Sequence, residues 1–576
     1  MLKVLFYNET KLKPDIDPAR QTLLDYLTST GFLAVTLTGS PPSSAYLANF
    51  QALVLDGELG LGREEAETLI NFVRRGGGLV ALGRSSDRWA EIEPLRQAIE
   101  LKSLAPRSPQ TELIVRVPAS SGHVLTRNLA AGFAHDHYAG LDRDTAFALH
   151  DSFTRLSAGR SEELLQVSWR GERLPVAWTL PYGEGRVFWT SLGADSSTWV
   201  NPVFSQLVYR AIRHSAGQLE AGGSVGIAMI GYGAIGQEHA TAIQQVSGLH
   251  LEGVCDRNPA RVAEAKRLFE GIKSFDSVQA VLDDPAVDLA IISTPPNLHA
   301  SMALQLLEAG KHVVVEKPFC LTTREADAMI EKASAFNRTL SVYQCRRWDP
   351  DYLAIKALVD SGQIGQVFHL ETFIGTFSHP CDYWHSHEPI SGGVFYDWGS
   401  HYLDWILGLM PGKVSSVSGF SHKRVWLDVT NEDQARLVLH FENGREAEFI
   451  HTDIAAALKP KWYVLGSNGA VVGNWRSENV KSRRWSGDLI EEHLAPSEAL
   501  PDLTAFIRQT SGLINEQRMA LPPAPVFPFH RNLANHILLG EPLAVLPTQS
   551  RRNIAIMEVA KKSASLSGQF IPVETE

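Results

Sequence analysis

One glycine-rich turn constrains the fold of this chain more than any other feature of its sequence. The turn consists of Gly231, Tyr232, Gly233, Ala234, Ile235 and Gly236. It follows a short apolar segment and opens a stretch of helical character, the context in which G-x-G-x-x-G holds the pyrophosphate of a dinucleotide. The first glycine permits the tight turn, the second lets the backbone approach the phosphates, and the third lets helix and strand pack closely. The N–H groups and partial positive charge of the helix N-terminus complete the predicted phosphate site.

A second apolar segment supplies the carboxylate that such a site needs. It ends in Asp256, 25 residues after Gly231. A carboxylate there would accept hydrogen bonds from the adenosine ribose hydroxyls and repel a 2′-phosphate, which favours NAD over NADP. Arg257 beside it leaves NADP open as the alternative.

The turn belongs to a longer alternation of strand-like and helix-like segments, which predicts α/β architecture with largely parallel sheets. The strand-like segments are 3–8, 32–38, 52–58 and 79–83 in the first part of the chain, and 226–233, 251–256, 288–294 and 312–318 in the second. After about residue 360 the segments instead predict antiparallel strands, and Asn443-Gly444 between two of them predicts a hairpin. We therefore expect an N-terminal domain with a mainly parallel sheet, a Rossmann domain, and an α+β domain with an open, mainly antiparallel sheet.

The Gly- and Ser-containing stretch 214–224 marks the clearest domain boundary. The predicted domains are 1–215, a linker at 216–224, a dinucleotide-binding domain at 225–345, and a substrate and oligomerisation domain at 346–576. The helices near the C-terminus are expected to pack back on the dinucleotide-binding domain.

Composition excludes several classes of function. The 576 residues carry a net charge of −11 without a basic stretch, which argues against a nucleic-acid partner. The sequence has no apolar run long enough to span a membrane and no signal-like start, so we expect a cytoplasmic protein. Its four cysteines form no C-x-x-C pair, which predicts reduced thiols and no structural zinc.

A candidate catalytic lysine lies at the end of the strand-like segment 312–318. It is Lys317 of the triplet Glu316-Lys317-Pro318, and the carboxyl end of a parallel strand is where open α/β sheets bind ligands. The proline restricts the lysine to extended backbone and makes a cis bond available.

A helix-like segment further on carries the second candidate group. Asp397, His401 and Asp404 are spaced i, i+4 and i+7, which predicts one shared helix face. Trp398, Tyr402 and Trp405 repeat this spacing on a neighbouring face and are predicted to be core. Gly399 is costly inside a helix, which indicates close approach of another group, such as a ligand.

The segment 379–387 before this helix contains histidines, a cysteine and an aspartate. Its spacing matches no standard zinc pattern, so we predict no metal. Its place favours a substrate-lining loop to which Trp384 contributes.

Taken together, these motifs resemble the GFO/IDH/MocA family of glucose–fructose and inositol dehydrogenases over about residues 224–575. The matching segments are the glycine turn, Asp256, 293–299, 316–318, 392–404 and 529–535. The resemblance implies that Lys317, Asp397 and His401 surround the reacting carbinol. His401 would take the hydroxyl proton, Lys317 would stabilise the alkoxide, and Asp397 would position the substrate and tune His401.

The resemblance also implies the surroundings of the cofactor and of the substrate. The residues expected to border the cofactor, besides the turn, are Asp256, Arg257, Thr294, Pro295, Pro296, Asn297, His299, Glu316 and Lys317. Those expected to meet the substrate are Lys317, Arg346, Arg347, Trp348, Trp384, Asp397 and His401.

The first 215 residues resemble the ThuA-like (trehalose-utilisation) domains, and the resemblance implies a glutamine-amidotransferase-like, flavodoxin-like fold. The matching segments are 54–58, 72–83, 123–127, 175–178 and 182–187. No cysteine nucleophile is present, and the histidines common in such domains are replaced by Leu82 and Ala194. We therefore expect a binding, lid or assembly module rather than a second active site, with His135–Tyr138 as a polar loop.

The resulting hypothesis is an NAD(P)-dependent dehydrogenase that acts on a sugar, a glycoside or disaccharide, or a cyclitol. Two alternatives stay open: an NAD-dependent glycosidase that uses transient oxidation without net redox change, and a non-catalytic sugar or redox sensor. The open sheet of the resembled family predicts a homo-oligomer, either a dimer or a tetramer.

Overall fold

The computed structural model describes most of the 576-residue chain, in two compact units. The described residues are 1–8, 18–57, 59–83, 92–104, 111–117, 123–129, 145–149, 154–156, 160–169, 172–193, 196–219, 222–381, 383–475, 479–483, 489–493 and 500–574. The first unit contains Met1–Ser224, Pro525–Phe527 and Arg531–Pro542, and the second contains the remainder. Ala194 and the segment 135–138 lie outside the described residues.

The first unit is built on a nine-stranded sheet with a parallel half and an antiparallel half. The strands of the unit, including two outside this sheet, are β1 (Leu2–Tyr7), β2 (Leu33–Thr38), β3 (Ala52–Asp56), β4 (Gly78–Leu82), β5 (Leu101–Leu104), β6 (Thr111–Arg116), β7 (Thr145–Leu149), β8 (Thr154–Leu156), β9 (Glu162–Trp169), β10 (Glu172–Tyr182) and β11 (Gly185–Thr190). The sheet order is β2-β1-β3-β4-β11-β10-β9-β6-β7, and β5 pairs with β8 separately. Strands β2 to β11 pair in parallel in this order, and antiparallel pairs follow.

Helices cover both faces of this sheet. They are α1 (Pro18–Ser29), α2 (Ser44–Leu47), α3 (Arg63–Arg74), α4 (Glu93–Ala98), α5 (Ser196–Trp199) and α6 (Pro202–Ser215). Alternate residues of β1 belong to two different hydrophobic clusters, because successive side chains of a strand point to opposite faces. This explains why the central strands are apolar at nearly every position.

The second unit opens with the predicted Rossmann sheet, of order β14-β13-β12-β15-β16-β17, with every pair parallel. Its strands are β12 (Val225–Ile230), β13 (Leu249–Cys255), β14 (Lys273–Ser274), β15 (Leu289–Ile292), β16 (His312–Val315) and β17 (Leu340–Val342). Its helices are α7 (Ala234–Gln245), α8 (Pro259–Leu268), α9 (Val278–Asp283), α10 (His299–Glu308) and α11 (Thr323–Ala335). The parallel strands predicted from the sequence are therefore confirmed.

A second nine-stranded sheet follows, of order β27-β26-β23-β22-β18-β21-β20-β19-β28. The strands are β18 (Val367–Gly375), β19 (Val414–His422), β20 (Gln434–Phe441), β21 (Glu446–Thr452), β22 (Trp462–Gly466), β23 (Gly469–Asn474), β24 (Asn479–Arg483), β25 (Leu489–His493), β26 (Asp502–Arg508), β27 (Ile514–Arg518) and β28 (Ile571–Pro572), with β24 and β25 paired separately. The sheet is mainly antiparallel, although β18 and β21 run parallel. The predicted hairpin at Asn443-Gly444 joins β20 to β21, with Gly444 at φ +77°.

The remaining helices carry the candidate site and the C-terminal part of the chain. They are α12 (Pro350–Asp360), α13 (Glu388–Ser391), α14 (Val394–Asp397), α15 (Gly399–Leu409), α16 (Pro528–Leu539) and α17 (Pro547–Ser565). Helix α17 meets α11 of the Rossmann sheet through an ion pair of Arg551 with Asp327 at 2.8 Å. Residues 531–542, by contrast, group with the first unit.

Candidate functional site

The glycine turn has the geometry of a dinucleotide cradle. Gly231 has φ +91°, and a Cβ there would lie 2.6 Å from the carbonyl oxygen of Ser293. A Cβ on Gly236 would lie 2.6 Å from the carbonyl oxygen of Gly231, so strand and helix meet where only glycine fits. Beside Gly233, in contrast, the nearest atom to an added Cβ is 3.9 Å away. Because this glycine caps α7 without a side-chain cap, open space adjoins free helix N–H groups, which suits a pyrophosphate.

Asp256 lies where the ribose carboxylate was predicted, directly after β13. One of its oxygens accepts the N–H of Tyr232 at 2.7 Å, and the other accepts the N–H of Asn258 at 2.7 Å. These bonds fix the carboxylate beside the glycine turn. Arg261 approaches the same group at 3.6 Å, so a cation is present next to Asp256 in addition to Arg257.

The loop after β15 is tied to the strand end that bears Lys317. This loop includes Thr294, Pro295, Pro296 and Asn297. The buried ring of His299 has its Nε2 2.8 Å from the carbonyl oxygen of Thr294 and its Nδ1 2.9 Å from that of Pro318. Burial lowers the pKa of His299, and both ring nitrogens are occupied, so its place is to join the two segments.

Lys317 and Asp397 form the ion pair at the centre of the site. The Lys317 ammonium is 2.8 Å from a carboxylate oxygen of Asp397, although 80 residues separate them, and both side chains are partly exposed. Burial alone would raise the pKa of Asp397, but the charge of Lys317, then that of His385 and the hydrogen bond from Lys317, outweigh burial and hold that pKa below its usual value. The Lys317–Pro318 peptide bond is cis.

His401 lies in the first turn of α15 and is buried, with 4% of its surface exposed. Burial, and then the charges of Lys317 and Arg346, hold the pKa of His401 well below its usual value, while Asp397 opposes them. The imidazole is therefore neutral at neutral pH and able to accept a proton. Among the described residues, no group hydrogen-bonds its buried Nδ1.

Trp398 is a site residue that the sequence reasoning assigned to the core. Tyr402 and Trp405 are buried as predicted, but Trp398 stays partly exposed between α14 and α15. The Lys317 ammonium lies 5.9 Å from the centre of its ring, and the Arg346 guanidinium carbon lies 4.8 Å from it. Two cations thus approach one indole, an arrangement that cation–π attraction stabilises.

The loop before α13 adds a stacked pair of rings. Trp384 and His385 have centroids 3.8 Å apart and planes inclined by 25°. Burial lowers the pKa of His385. The negative charge of Asp397 raises this pKa, and the positive charge of Lys317 lowers it further, with burial the largest effect. The sequence placed His385 within the predicted substrate-lining segment 379–387 but did not single it out as a site residue, because sequence spacing does not show its proximity to the ion pair.

Arg347 and Trp348, which were predicted to contact the substrate, bond and pack against other parts of the protein. All three guanidinium nitrogens of Arg347 are bonded, two of them to Asp404 at 2.6 and 2.7 Å and the third to the carbonyl of Ala544 and the side chain of Gln549. Asp404 therefore anchors Arg347 and does not join the Lys317 group, although it was predicted to share a helix face with His401. The ring of Trp348 packs against that of Phe529 at 6.5 Å. Substrate binding by these residues stays a prediction.

Gly399 lies against two side chains of the same protein. A Cβ added there would lie 3.4 Å from the sulfur of Met557 and 3.5 Å from the ring of Phe449. It also begins α15 rather than lying inside a helix. Both distances are ordinary van der Waals contacts that a Cβ would tolerate, so this packing does not require a glycine, and the close approach of a ligand stays a prediction.

Within the described residues, no helix is long and apolar enough to cross a membrane. The same part of the chain brings together no group of three histidine, cysteine, aspartate or glutamate side chains suited to a metal ion.

Comparison with known proteins identifies the families. Residues 225–344 match a family described as an oxidoreductase family with an NAD-binding Rossmann fold, and residues 352–472 match the GFO/IDH/MocA C-terminal domain. Residues 3–215 match the trehalose-utilisation family ThuA. The chain belongs to the GFO/IDH/MocA oxidoreductases and carries a ThuA domain before the oxidoreductase part.

Several relatives and solved structures resemble the oxidoreductase part. An uncharacterised oxidoreductase, YdgJ of Escherichia coli, is 30% identical over 281 residues, which are 48% of this chain and 76% of that protein. The scyllo-inositol 2-dehydrogenase (NAD(+)) of Bacillus subtilis is 31% identical over 44% of this chain and 75% of its own length. The scyllo-inositol 2-dehydrogenase (NADP(+)) IolW of the same organism is 30% identical over 34% of this chain and 54% of its own length. A crystal structure of an NAD-binding protein from Listeria innocua has a TM-score of 0.51 and 28% identity over 61% of this chain and 97% of that one. These findings make the protein a dehydrogenase of this family.

Proposed function

We propose that this dehydrogenase transfers hydride between a hydroxyl carbon of a carbohydrate or cyclitol and a nicotinamide dinucleotide. The observation that carries the proposal is the Lys317–Asp397 ion pair beside a neutral His401, at the carboxyl edge of the sheet that bears the glycine cradle. Relatives that act on inositols support a polyhydroxylated substrate.

The side chains divide the proton chemistry among them. His401 accepts the proton of the substrate hydroxyl, which its lowered pKa permits because the ring is uncharged before the reaction. Lys317 donates a hydrogen bond to the same oxygen and stabilises the charge that develops on it. Asp397 holds the Lys317 ammonium in place. The bound nicotinamide supplies the hydride acceptor.

The cradle favours NAD in this proposal. A carboxylate fixed by two backbone N–H groups, as Asp256 is, disfavours a 2′-phosphate. Arg257 and Arg261 are the groups that would oppose this preference, and relatives of both cofactor types are known. Fluorescence titrations with NADH and NADPH should therefore give tighter binding of NADH, and the reverse order would refute the assignment.

The stacked rings of Trp384 and His385 support a sugar-like substrate. A flat aromatic surface suits the C–H face of a cyclic polyol, while the neighbouring charged groups suit its hydroxyls. We therefore propose that this pair forms one wall of the substrate pocket. The ThuA domain is proposed to be a binding or assembly module without catalysis of its own.

The test offers the protein a panel of cyclitols, monosaccharides and disaccharides with NAD present. The absorbance of the nicotinamide band measures NADH formation with each compound. Reduction with at least one member is expected, and Lys317→Ala should lose about 100-fold or more of turnover while keeping its fold. Hydrolysis of a glycoside without net NADH would instead identify a glycosidase, and cofactor binding without any turnover would identify a sensor. Full turnover by Lys317→Ala would refute the assigned chemistry.

A further inference from the structure

Three buried side chains form a hydrogen-bonded chain behind Lys317. A carboxylate oxygen of Glu316 lies 2.8 Å from Nε2 of His239, and Nδ1 of His239 lies 2.8 Å from Nε2 of His530. The other oxygen of Glu316 accepts the backbone N–H of Lys317 at 3.0 Å. Glu316 is 6% exposed, His239 0% and His530 1%, so water competes little for these bonds. These hydrogen bonds join α7, the end of β16 and the start of α16.

The protons of this chain can be assigned from chemistry. Burial and the neighbouring His239 hold the pKa of His530 well below its usual value, so His530 is a neutral imidazole. A carboxyl is ordinarily a stronger acid than an imidazolium, so the proton between Glu316 and His239 belongs to the ring nitrogen. A neutral His239 that donates from Nε2 accepts at Nδ1 from His530. Both oxygens of Glu316 then accept hydrogen bonds, which is the pattern of an ionised carboxylate.

Three other buried or partly buried carboxylates of this unit have cationic partners. The pairs are Lys317 with Asp397, Arg346 with Asp349, and Arg347 with Asp404. Glu316 instead faces imidazoles and an amide, and the described part of the chain shows no ion pair between it and a lysine or arginine. With His239 neutral, the negative charge of Glu316 next to Lys317 has no cationic partner among the described residues, whereas a protonated His239 would form an ion pair with it.

We propose that this charge makes the site favour the oxidised nicotinamide, with His239 and His530 as positioning residues that act through Glu316. The inference rests on the proposed function, since it presupposes a nicotinamide cofactor at this sheet edge. The oxidised ring carries a positive charge that the reduced ring lacks, so a nearby anion stabilises the oxidised form selectively. In general, a unit charge about 10 Å from another, at an effective dielectric constant of about 20, alters a ratio of affinities about tenfold, and this sets the scale of the expected shift.

The experiment measures dissociation constants of NADH by fluorescence and of NAD by competition, in the full-length protein. Glu316→Gln keeps the side-chain size and removes the charge, so the ratio of the two constants should shift about tenfold towards NADH. Glu308→Gln makes the same chemical change at an exposed position on the far end of α10, and should leave the ratio unchanged. The proposal would be overturned if Glu316→Gln weakened the binding of NAD and NADH equally, or if it left the ratio of their dissociation constants unchanged.

A second pair of variants carries the test if Glu316→Gln does not fold. His530→Phe removes the donor to His239 and should shift the ratio in the same direction by at least about twofold. His530→Gln retains an N–H donor and should restore most of the wild-type ratio. Identical ratios in both variants and the wild type would refute the positioning role. If the wild-type protein binds neither nicotinamide cofactor, the proposed function fails first; normal binding with unshifted ratios refutes this inference alone.

Discussion

Removing the charge of Arg346 should change the pKa of His401, the proposed base. Burial is the largest cause of the lowered pKa of His401, and the charges of Lys317 and Arg346 add to it. The Arg346 guanidinium carbon lies 4.8 Å from the centre of the Trp398 ring, which lies 6.1 Å from the centre of the His401 ring, so at most about 11 Å separates guanidinium and imidazole. At an effective dielectric constant of about 20 this corresponds to about 1.5 kcal/mol, or about one pH unit. Arg346→Met should therefore raise the pKa of His401 by about one unit or more.

The assay is the pH profile of kcat/KM for hydride transfer to NAD, which reports ionisations of the free enzyme. His401 must be uncharged to accept the proton, so activity rises as pH increases through its pKa. Because that pKa is lowered, the acid limb of the wild-type protein should lie below about pH 6.5. In Arg346→Met the limb should move upward, whatever happens to the absolute rate.

A matched variant separates this effect from a general change in charge. Arg338 lies in an exposed position after α11, so Arg338→Met removes the same charge at a site open to solvent screening. Its acid limb should coincide with that of the wild type. An unmoved or lowered limb in Arg346→Met would refute the assignment of His401 as the base whose charge Arg346 opposes.

Three further predictions follow from buried contacts. Asp404→Asn leaves the Arg347 guanidinium without its carboxylate and should cost about 3–5 kcal/mol of unfolding free energy, measured by denaturant titration; a loss below about 1 kcal/mol would contradict a buried pair. Glu541→Gln removes the partner of Arg210 in the first unit, where the two side chains are 1% and 0% exposed, and should lower the melting temperature of that unit, with Arg210→Met/Glu541→Leu recovering part of the loss. Gly236→Ala places a Cβ 2.6 Å from a backbone oxygen and should weaken NADH binding at least about tenfold; unchanged fluorescence titration would show that the turn can shift.

The sequence alone determined the local features of the dinucleotide domain. The glycine turn, the parallel strands and the hairpin at Asn443-Gly444 follow from backbone constraints that act over a few residues. The candidate groups Lys317 and His401 were likewise found from the motifs in which they occur.

Only the tertiary structure decided which of these groups meet. Helical spacing predicted one face for Asp397, His401 and Asp404, yet Asp397 bonds Lys317 while Asp404 bonds Arg347. The ion pair of Lys317 spans 80 residues and that of Arg347 spans 57, so no local pattern specifies either. The neutrality of His401 and the partial exposure of Trp398 have the same origin. Charge state and burial depend on what other segments bring alongside, and packing between distant segments is fixed by the whole fold.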